Sequence, residues 1–425
     1  MSNGGYVNLN IQISTINHEA LLVGDVPVRL YIEPTWNTVG YKLDEHNIIA
    51  VQKSLGGKTR EIKTGQVDEI NDEVVATDTA AKSALDNWTK AEQTQTPENH
   101  KLILKPQKDI SGNYVPYEFL DGEYALPNNI EIIGVMDDSG TVPTLTPYTL
   151  SVSTIENGNI GFAGVNFVAT AATESSTELQ KQGGTIVVQN DSKGNAAVLD
   201  SLSFLGCGFV NTNVYVHNKA TVNKVITHQC TFVTSKQTRD WQYEVSAEGR
   251  KTYWYKWTSV LLEGDVESVS VSCNNFYGAL YNAVQVSNGK KNLHKFNLSN
   301  NAFYDIENRV AHVVASKDTN DIVVSNNHIG KSCNLEPDLG GREDTTEKGG
   351  GWAAHINQLM YINSVGEKDM VLTEGQYLKF KLLSQNNTYD TEQSEITFDY
   401  ISEEKIEPGQ WSQVAFLATK PGSPF

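Results

Sequence analysis

The segment "VSVSCNNFYG" (Val269–Gly278) returns as "FNLSNNAFYD" (Phe296–Asp305), and this repetition decides the fold. Apolar and polar residues alternate in each copy, and Phe276 corresponds to Phe303, 27 positions later. Side chains on a strand point alternately to opposite faces, so each copy predicts short strands with one inward-facing side. A unit this short cannot bury that side alone, so we expect further copies along the chain.

Four more copies extend the pattern in both directions. The residue that closes each unit, called the anchor below, is Phe167, Phe209, Phe232, Phe276, Phe303 or Ile329. Seven positions before the anchors stand Ile160, Leu202, Val225, Val269, Phe296 and Ile322. Five positions before them stand Phe162, Phe204, Thr227, Val271, Leu298 and Val324. All but Thr227 are apolar, so these three positions predict one inward-facing register.

The position two residues before each anchor is small or carries an amide. It holds Val165, Cys207, Cys230, Asn274, Asn301 and Asn327. Asparagine there predicts a tight turn, because Asn tolerates left-handed backbone and bonds its own main chain. Ahead of most units lies a second alternating segment, such as "TIVVQND" or "VYVHNKA", which predicts another short strand.

The spacing of the anchors predicts a β-solenoid. The intervals are 42, 23, 44, 27 and 26 residues, which indicates a turn of about 23–27 residues that insertions extend. Stacked units of this size are typical of solenoids. A β-sandwich is the alternative, since it also has closely spaced short strands. A sandwich, however, does not require the same residue class at the same offset six times.

These columns, together with "FLDGEYALPNNIEIIGV" (Phe119–Val135), resemble the right-handed parallel β-helix of the pectin-lyase-like superfamily. The resemblance covers roughly Leu102–Tyr389. It implies an all-β chain whose residues 101–390 form the β-helix, with insertions at 234–258 and 331–358. It implies little about chemistry, because this fold carries lyases, hydrolases, epimerases and adhesins.

The ends of the chain depart from the repeat. Residues 1–65 predict a small N-terminal β region, whose role the pattern itself does not show, and residues 391–425 predict short C-terminal strands and a tail. Residues 66–100 predict one amphipathic helix and a linker. The helical spacing runs through Ile70, Val74, Thr77, Ala81, Leu85 and Trp88. We expect this helix to cap the solenoid; a trimeric coiled-coil neck is the alternative.

The first insertion predicts a hairpin that turns at "SAEG" and is rich in aromatic residues. These are Trp241, Tyr243, Tyr253, Trp254, Tyr255 and Trp257. Such side chains suit carbohydrate binding and protein interfaces equally, so we assign them as candidate binding residues. Alternatively, the hairpin folds over the solenoid and buries its own aromatic face. The second insertion is polar and Gly-rich and predicts a long surface loop.

Candidate catalytic residues are sparse. Asp305, Glu307, Arg309 and His312 lie together in "FYDIENRVAH" and could bind a sugar or transfer a proton. The alternative is a solvated turn with a surface ion pair. Of the motifs of the superfamily's polygalacturonases, only Asp137-Asp138 has a counterpart, and it precedes the repeat, so that assignment fails.

No cofactor or metal site is predicted. Four cysteines, Cys207, Cys230, Cys273 and Cys333, form no CxxC pair and no disulfide framework, so we expect buried thiols. Thirty-three basic against 51 acidic residues give a net charge of −18, which disfavours nucleic acid as a partner. The first residues, "MSNGGYVNLNIQIS", do not resemble a signal peptide, and no apolar run is long enough for membrane insertion.

These features resemble bacteriophage virion proteins of the tailspike or fibre type, which are made in the host cytoplasm without a signal peptide. The resemblance implies a homotrimer whose N-terminal region, about residues 1–100, docks to other virion proteins. It also implies that the β-helix flank binds host surface polysaccharide or a neighbouring subunit. Two alternatives remain: a polysaccharide lyase or glycoside hydrolase on a β-helix scaffold, and a purely structural virion subunit.

Overall fold

The computed structural model describes most of the chain. The described residues are 5–11, 26–32, 39–52, 60–68, 71–95, 98–118, 123–146, 150–153, 157–170, 184–189, 194, 197–235, 243–245, 251–253, 258–279, 282–287, 293–304, 306, 309–315, 318–330, 358–363, 377–389, 396–398 and 410–417. Within them the chain is all-β apart from one helix, and most strands belong to three long sheets.

The chain visits the three sheets in a fixed order, which makes it a parallel β-helix. Lys295–Ser299 lies in sheet 1, Ala302–Tyr304 in sheet 2 and Arg309–Val314 in sheet 3. The chain then returns to sheet 1 with Asp321–Ser325, which pairs in parallel with Lys295–Ser299. The repeat in the sequence is therefore one turn of this coil.

The strands of each sheet follow one another along the coil. Sheet 1 contains Asp72–Val75, Asn99–Leu104, Asn129–Gly134, Gly158–Ala163, Val198–Leu205, Thr221–His228, Asp265–Ser272, Lys295–Ser299, Asp321–Ser325, Tyr377–Gln385 and Gln410–Leu417. Sheet 2 contains Thr144–Leu145, Asn166–Val168, Gly208–Val210, Thr231–Val233, Asn275–Tyr277, Ala302–Tyr304, His328–Ile329 and Thr388–Tyr389. Sheet 3 contains Glu123–Ala125, Leu150–Ser153, Gly184–Val188, Thr212–Val216, Val260–Leu262, Asn282–Val286, Arg309–Val314, Gln358–Asn363 and Ile396–Phe398.

The register confirms the predicted columns. The six anchors are direct partners on successive strands of sheet 2, and all are buried. The rings of the five phenylalanine anchors stack, with centroids 4.3 Å apart between Phe209 and Phe232 and 4.7 Å apart between Phe232 and Phe276. The sequence pattern did not predict two further anchors. Leu145 pairs with Phe167 at one end of the column, and Tyr389 pairs with Ile329 at the other. The stacked anchors run through one continuous core.

The turn from sheet 1 to sheet 2 is tight, as predicted, but its left-handed residue lies one position earlier than expected. Two residues make this turn each time from Gly164 onward. The first of the two has positive φ: Gly164, Gly206, Gln229, Cys273, Asn300, Asn326 and Asn386. The second belongs to the small or amide column. Its side chain is therefore directed into the coil, where the cysteines and asparagines of the column form hydrogen bonds with earlier turns.

Asparagines of this column form a ladder of hydrogen bonds. Asn301 donates from Nδ2 to the carbonyl oxygen of Val271 at 2.9 Å and to Oδ1 of Asn327 at 3.0 Å. Asn327 repeats this with the carbonyl of Leu298 at 2.9 Å and with Oδ1 of Asn387 at 3.0 Å. Since the ladder residues Asn274, Asn301 and Asn327 are buried, these bonds satisfy amides that would otherwise be costly.

Two cysteines occupy the same column in earlier turns. The thiol of Cys207 donates to the carbonyl of Phe162 at 3.4 Å, and that of Cys230 to the carbonyl of Phe204 at 3.4 Å. Both side chains are fully buried, which confirms the buried thiols predicted for them, and burial raises the pKa of the Cys207 thiol. Cys273 is only partly buried, and Cys333 lies outside the described residues.

The helix spans Asp78–Glu92 and covers the N-terminal end of the core. Ala81, Ala84 and Leu85 are buried in the same cluster as the first turns of the coil. The helix begins later than its predicted start at Ile70, because Asp72–Val75 instead adds a strand to sheet 1. Thr77 lies two residues after the end of that strand and caps the helix, and its side chain accepts a hydrogen bond from the nitrogen of Ala80.

The N-terminal region contains two antiparallel sheets. Gly5–Ile11 pairs with Val26–Ile32, and a three-stranded sheet consists of Val39–Leu43, Asn47–Gln52 and Arg60–Gln66. The three-stranded sheet packs on the outer face of sheet 1 in a separate apolar cluster. This cluster contains Val39, Tyr41, Ile48, Ala50, Ile103, Ile133, Val135 and Ala163.

Two glycines of the tight turn allow this close approach. A Cβ atom on Gly164 would lie 2.3 Å from Cδ2 of Tyr41, and one on Gly206 would lie 2.4 Å from Cβ of Val39. The absence of a side chain at these positions therefore lets the N-terminal sheet lie against the coil. Burial raises the pKa of the Tyr41 phenol well above its usual range.

The coil closes with the strands expected after Tyr389. Ile396–Phe398 extends sheet 3 in parallel, whereas Gln410–Leu417 pairs antiparallel with Tyr377–Gln385 in sheet 1. The long insertions both leave the coil between sheet 2 and sheet 3, after Val233 and after Ile329. In the part of the chain that the structure describes, no helix is long and apolar enough to span a membrane.

Candidate functional site

The outer face of sheet 2 carries an apolar stripe along the coil. Because the anchors point inward, the residues directly after them point outward. On successive turns these are Val210, Val233, Tyr277 and Tyr304, which are register partners and only partly buried. We call these four residues the Val-Tyr stripe. It lines up apolar groups along the outer face of sheet 2.

The two tyrosines of the stripe stack on each other. Their ring centroids are 5.2 Å apart with an interplanar angle of 18°, and the ring of His328 lies 5.5 Å from that of Tyr304. A Cβ atom on Gly330 would lie 2.3 Å from Cδ1 of Tyr304, so this glycine leaves room for the tyrosine ring. Since stacked rings cover each other's faces, Tyr277 and Tyr304 present ring edges to the outside.

The column directly before the anchors also lies on this outer face, and it contains unsatisfied polar atoms. Thr231 and Asn275 are register partners and are 1 % and 0 % exposed. The hydroxyl of Thr231 and both amide atoms of Asn275 have no hydrogen-bond partner. Buried polar atoms without partners are rare and cost about 1–3 kcal/mol each. The isolated chain therefore carries an energetic cost next to the stripe.

The outer face of sheet 3 differs from that of sheet 2, because the outward side chains of its upstream strands are buried. Val187, Tyr215 and Leu261 form a small buried cluster there, and Tyr215 donates a hydrogen bond to the carboxylate of Glu263. Further along the coil the same column continues with Gln285. The candidate His312 is the next register partner after Gln285 and is partly buried.

The structure places Arg309 at the start of a sheet 3 strand, where it is 8 % exposed. Its backbone nitrogen donates to Oδ1 of Asn282 at 3.2 Å. Arg309 itself is therefore buried on a strand. Asp305 and Glu307 lie outside the described residues, so the catalytic role of the four-residue set remains a prediction.

The predicted hairpin in the first insertion is present. Tyr243–Val245 pairs antiparallel with Lys251–Tyr253, on either side of the "SAEG" segment. Tyr243 and Tyr253 are direct cross-strand partners. The other four aromatic candidates, Trp241, Trp254, Tyr255 and Trp257, lie outside the described residues. Their assignment to carbohydrate or partner binding remains a prediction.

Among the described residues, no group of three His, Cys, Asp or Glu side chains could hold a metal ion. Asp137, the first acid of the Asp137-Asp138 pair that has a counterpart in polygalacturonase motifs, folds a local turn instead. Its Oδ1 accepts from the nitrogens of Ser139 and Thr141 at 3.0 and 3.1 Å. The carboxylate therefore has a structural use that accounts for its position.

The sequence predictions did not include the Val-Tyr stripe, although its signal is present in the sequence. A tyrosine follows the anchor in both copies of the opening repeat, "NNFYG" and "NAFYD". An apolar residue at an outward position in several successive turns is the pattern that would have revealed it.

No protein-family model, no curated protein and no solved structure matches the chain.

Proposed function

We propose that this chain is a bacteriophage virion structural protein of the tailspike or fibre type, assembled side by side with identical copies through the Val-Tyr stripe. The observation that carries the proposal is the stripe itself: partly exposed valines and stacked tyrosines in one column of the coil. The sequence resemblance supports the virion assignment, and the coil geometry supports the mode of assembly.

A second copy suits the stripe better than a sugar chain. Sugars bind ring faces, and the stacked rings of Tyr277 and Tyr304 cover those faces. Edges of aromatic rings and valine methyl groups suit packing against another apolar surface. Coils that associate in parallel bring the same repeat, about 4.8 Å per turn, into alignment over many turns. Closed cyclic symmetry is the usual outcome for such homo-oligomers.

The unsatisfied atoms of Thr231 and Asn275 lie directly beside the stripe. These atoms are buried in the single chain, so a neighbouring copy can supply their missing hydrogen bonds only if assembly uncovers them. Such pairing would remove an energetic cost of about 1–3 kcal/mol per group from the assembled state. The flank of the coil is then a structural interface of the fibre rather than a surface for solvent.

Light scattering of the purified chain tests this assembly. We expect a trimer, and we expect the double variant Val210→Asp/Val233→Asp to be a monomer, because it places charge in the interface. The matched control, Ser270→Asp/Ser299→Asp, adds the same charges to the outer face of sheet 1 and should leave the trimer intact. A wild-type monomer, or a trimer in the Val210→Asp/Val233→Asp variant, would contradict the proposal.

The enzymatic alternative is tested on the same preparation. Reducing ends and unsaturated products are measured after incubation with bacterial polysaccharides. Product release would replace a purely structural role with a lyase or hydrolase activity and would direct attention to His312 and the neighbouring Asp305, Glu307 and Arg309. A trimer without product and without glycan binding would support the purely structural virion subunit.

A further inference from the structure

A cleft of about 350 Å³ lies at the N-terminal end of sheet 2. One wall is the connection from Pro106 to Pro116, and the other is the segment from Thr141 to Thr146, with Val168 at the base. Its volume is at the lower end of the range typical of small-molecule sites. Val168 directly precedes the first residue of the Val-Tyr stripe in register, so the cleft begins where the stripe ends.

The walls of the cleft are held in place before any ligand binds. Gln107 accepts from the nitrogen of Asp78 at 2.7 Å and donates to the carbonyl of Pro116 at 3.1 Å, which ties the first wall to the helix. Tyr114 ties the first wall to the turn that leads into the second, because its hydroxyl donates to Asp137 and lies 3.0 Å from Oγ of Ser139. A site fixed in this way loses little entropy on binding.

The carboxyl group of Asp137 lies at the rim of the cleft and is ionised. Partial desolvation alone would raise the pKa of this carboxyl, but hydrogen bonds from Ser139, Tyr114 and Thr141 together lower it to about 2. Lys108 compensates the charge from outside, with Nζ 3.9 Å from the carboxylate and 4.5 Å from the centre of the Tyr114 ring. The charges of Asp137 and Lys108 at the rim therefore compensate each other within the protein.

The lining itself is uncharged. It consists of Pro106, Gln107, Tyr114, Val115, Pro116, Thr141, Val142, Pro143, Thr144, Thr146, Val168 and Thr170. Flat apolar groups and an aromatic ring suit the C–H faces of a sugar, and threonine hydroxyls suit its O–H groups. No lining side chain could compensate an acidic ligand, and the net charge of −18 would repel one.

We propose that this cleft binds an uncharged sugar residue. The inference goes beyond assembly through the Val-Tyr stripe and does not depend on it, because the lining residues all belong to one chain. It also makes the N-terminal end of the coil, rather than its flank, the place where a glycan is recognised. A protein that forms trimers and also carries this cleft would present one sugar site on each subunit.

Saturation-transfer NMR on the full chain tests the proposal, with glucose, galactose, mannose and their dimers as probes and glucuronic and galacturonic acids for comparison. We expect transfer to at least one uncharged sugar and at least tenfold weaker binding in Thr146→Trp, which fills the cleft. Tyr114→Ala, which removes part of one wall, should weaken binding similarly. The matched control Ser201→Trp adds the same side chain on sheet 1 and should bind as the wild type does.

Transfer to no uncharged sugar at millimolar concentration would overturn the proposal. So would equal binding of the uronic acids, or unchanged binding in a folded Thr146→Trp variant. Sizing by light scattering separates this outcome from the function proposed above. A wild-type trimer that binds no uncharged sugar counts against the cleft alone, and a wild-type monomer that binds an uncharged sugar counts against the assembly alone.

Discussion

Oδ1 of Asn301 accepts two hydrogen bonds from Asn274, one turn earlier in the coil: from its main-chain nitrogen at 2.9 Å and from its side-chain nitrogen at 3.1 Å. One amide thus serves the backbone and the side chain of the preceding turn at once. Because both residues are buried, each turn depends on the next for the hydrogen bonds of its corner.

Asn301→Ala should therefore lower the free energy of unfolding by ~3 kcal/mol, because it leaves buried groups of Asn274 and Val271 without partners. Chemical denaturation measures this difference. Asn159→Ala is the control, since Asn159 is exposed on the coil surface and its loss should change stability by less than about 0.5 kcal/mol. Equal effects of the two substitutions would mean that the ladder contributes no special stability.

Adjacent asparagines should respond in opposite ways to the same substitution. Asn275→Leu removes a buried amide without partners, so the isolated chain should unfold at the same denaturant concentration or be more stable by about 1 kcal/mol. Asn274→Leu breaks the ladder and should destabilise the chain by ~3 kcal/mol. If Asn275→Leu instead weakens the oligomer in light scattering, a neighbouring copy bonds that amide.

Gly206→Ala should displace the N-terminal sheet from the coil. The added Cβ would meet Val39, and the φ of +59° adds backbone strain of about 1–2 kcal/mol. Hydrogen exchange should then increase in Val39–Leu43 and Asn47–Gln52. Gly112→Ala separates the two effects, because Gly112 also has positive φ but no atom within 4 Å of the added group. Protected amides in the Gly206→Ala variant would show that the sheet tolerates the clash.

Acidification should destabilise the coil through His228. Burial lowers the pKa of this imidazole, and its hydrogen bond with Ser272 only partly opposes the shift. Above the unfolded pKa of about 6.5 both states are neutral and the group has no effect. As the pH falls below 6.5, the unfolded chain takes up the proton first, so stability decreases until the folded pKa is passed. Stability measured from pH 7.5 to 5 in wild type and in His228→Gln checks this; equal slopes would count against it.

The columns of the coil could be predicted because each turn repeats the same environment. Phe232 and Phe276 occupy equivalent positions, so the sequence repeats a residue class wherever the structure repeats a contact. Leu145 was missed because the connection from Gly134 to Thr144 is longer than the two-residue turns that follow. The spacing rule therefore failed at the first turn, where the coil begins.

Other features had no local signal. The contact between Val39 and Gly206 joins distant parts of the chain, and a glycine in a turn does not reveal what packs on it. The helix began later than predicted because Val74 fits both a helical spacing and a short strand, and pairing with Asn99–Leu104 decides between them. The cleft could not be predicted, because its walls come from two connections that carry no repeat.

The corner between sheet 2 and sheet 3 has no fixed length, in contrast to the two-residue corner that precedes it. The chain passes it directly from Val210 to Thr212 in one turn and inserts a whole hairpin between Val233 and Val260 in another. Foreign peptides grafted at this corner should therefore be tolerated without a change in the ladder. The same freedom would let one framework acquire new attachments while its packing stays constant.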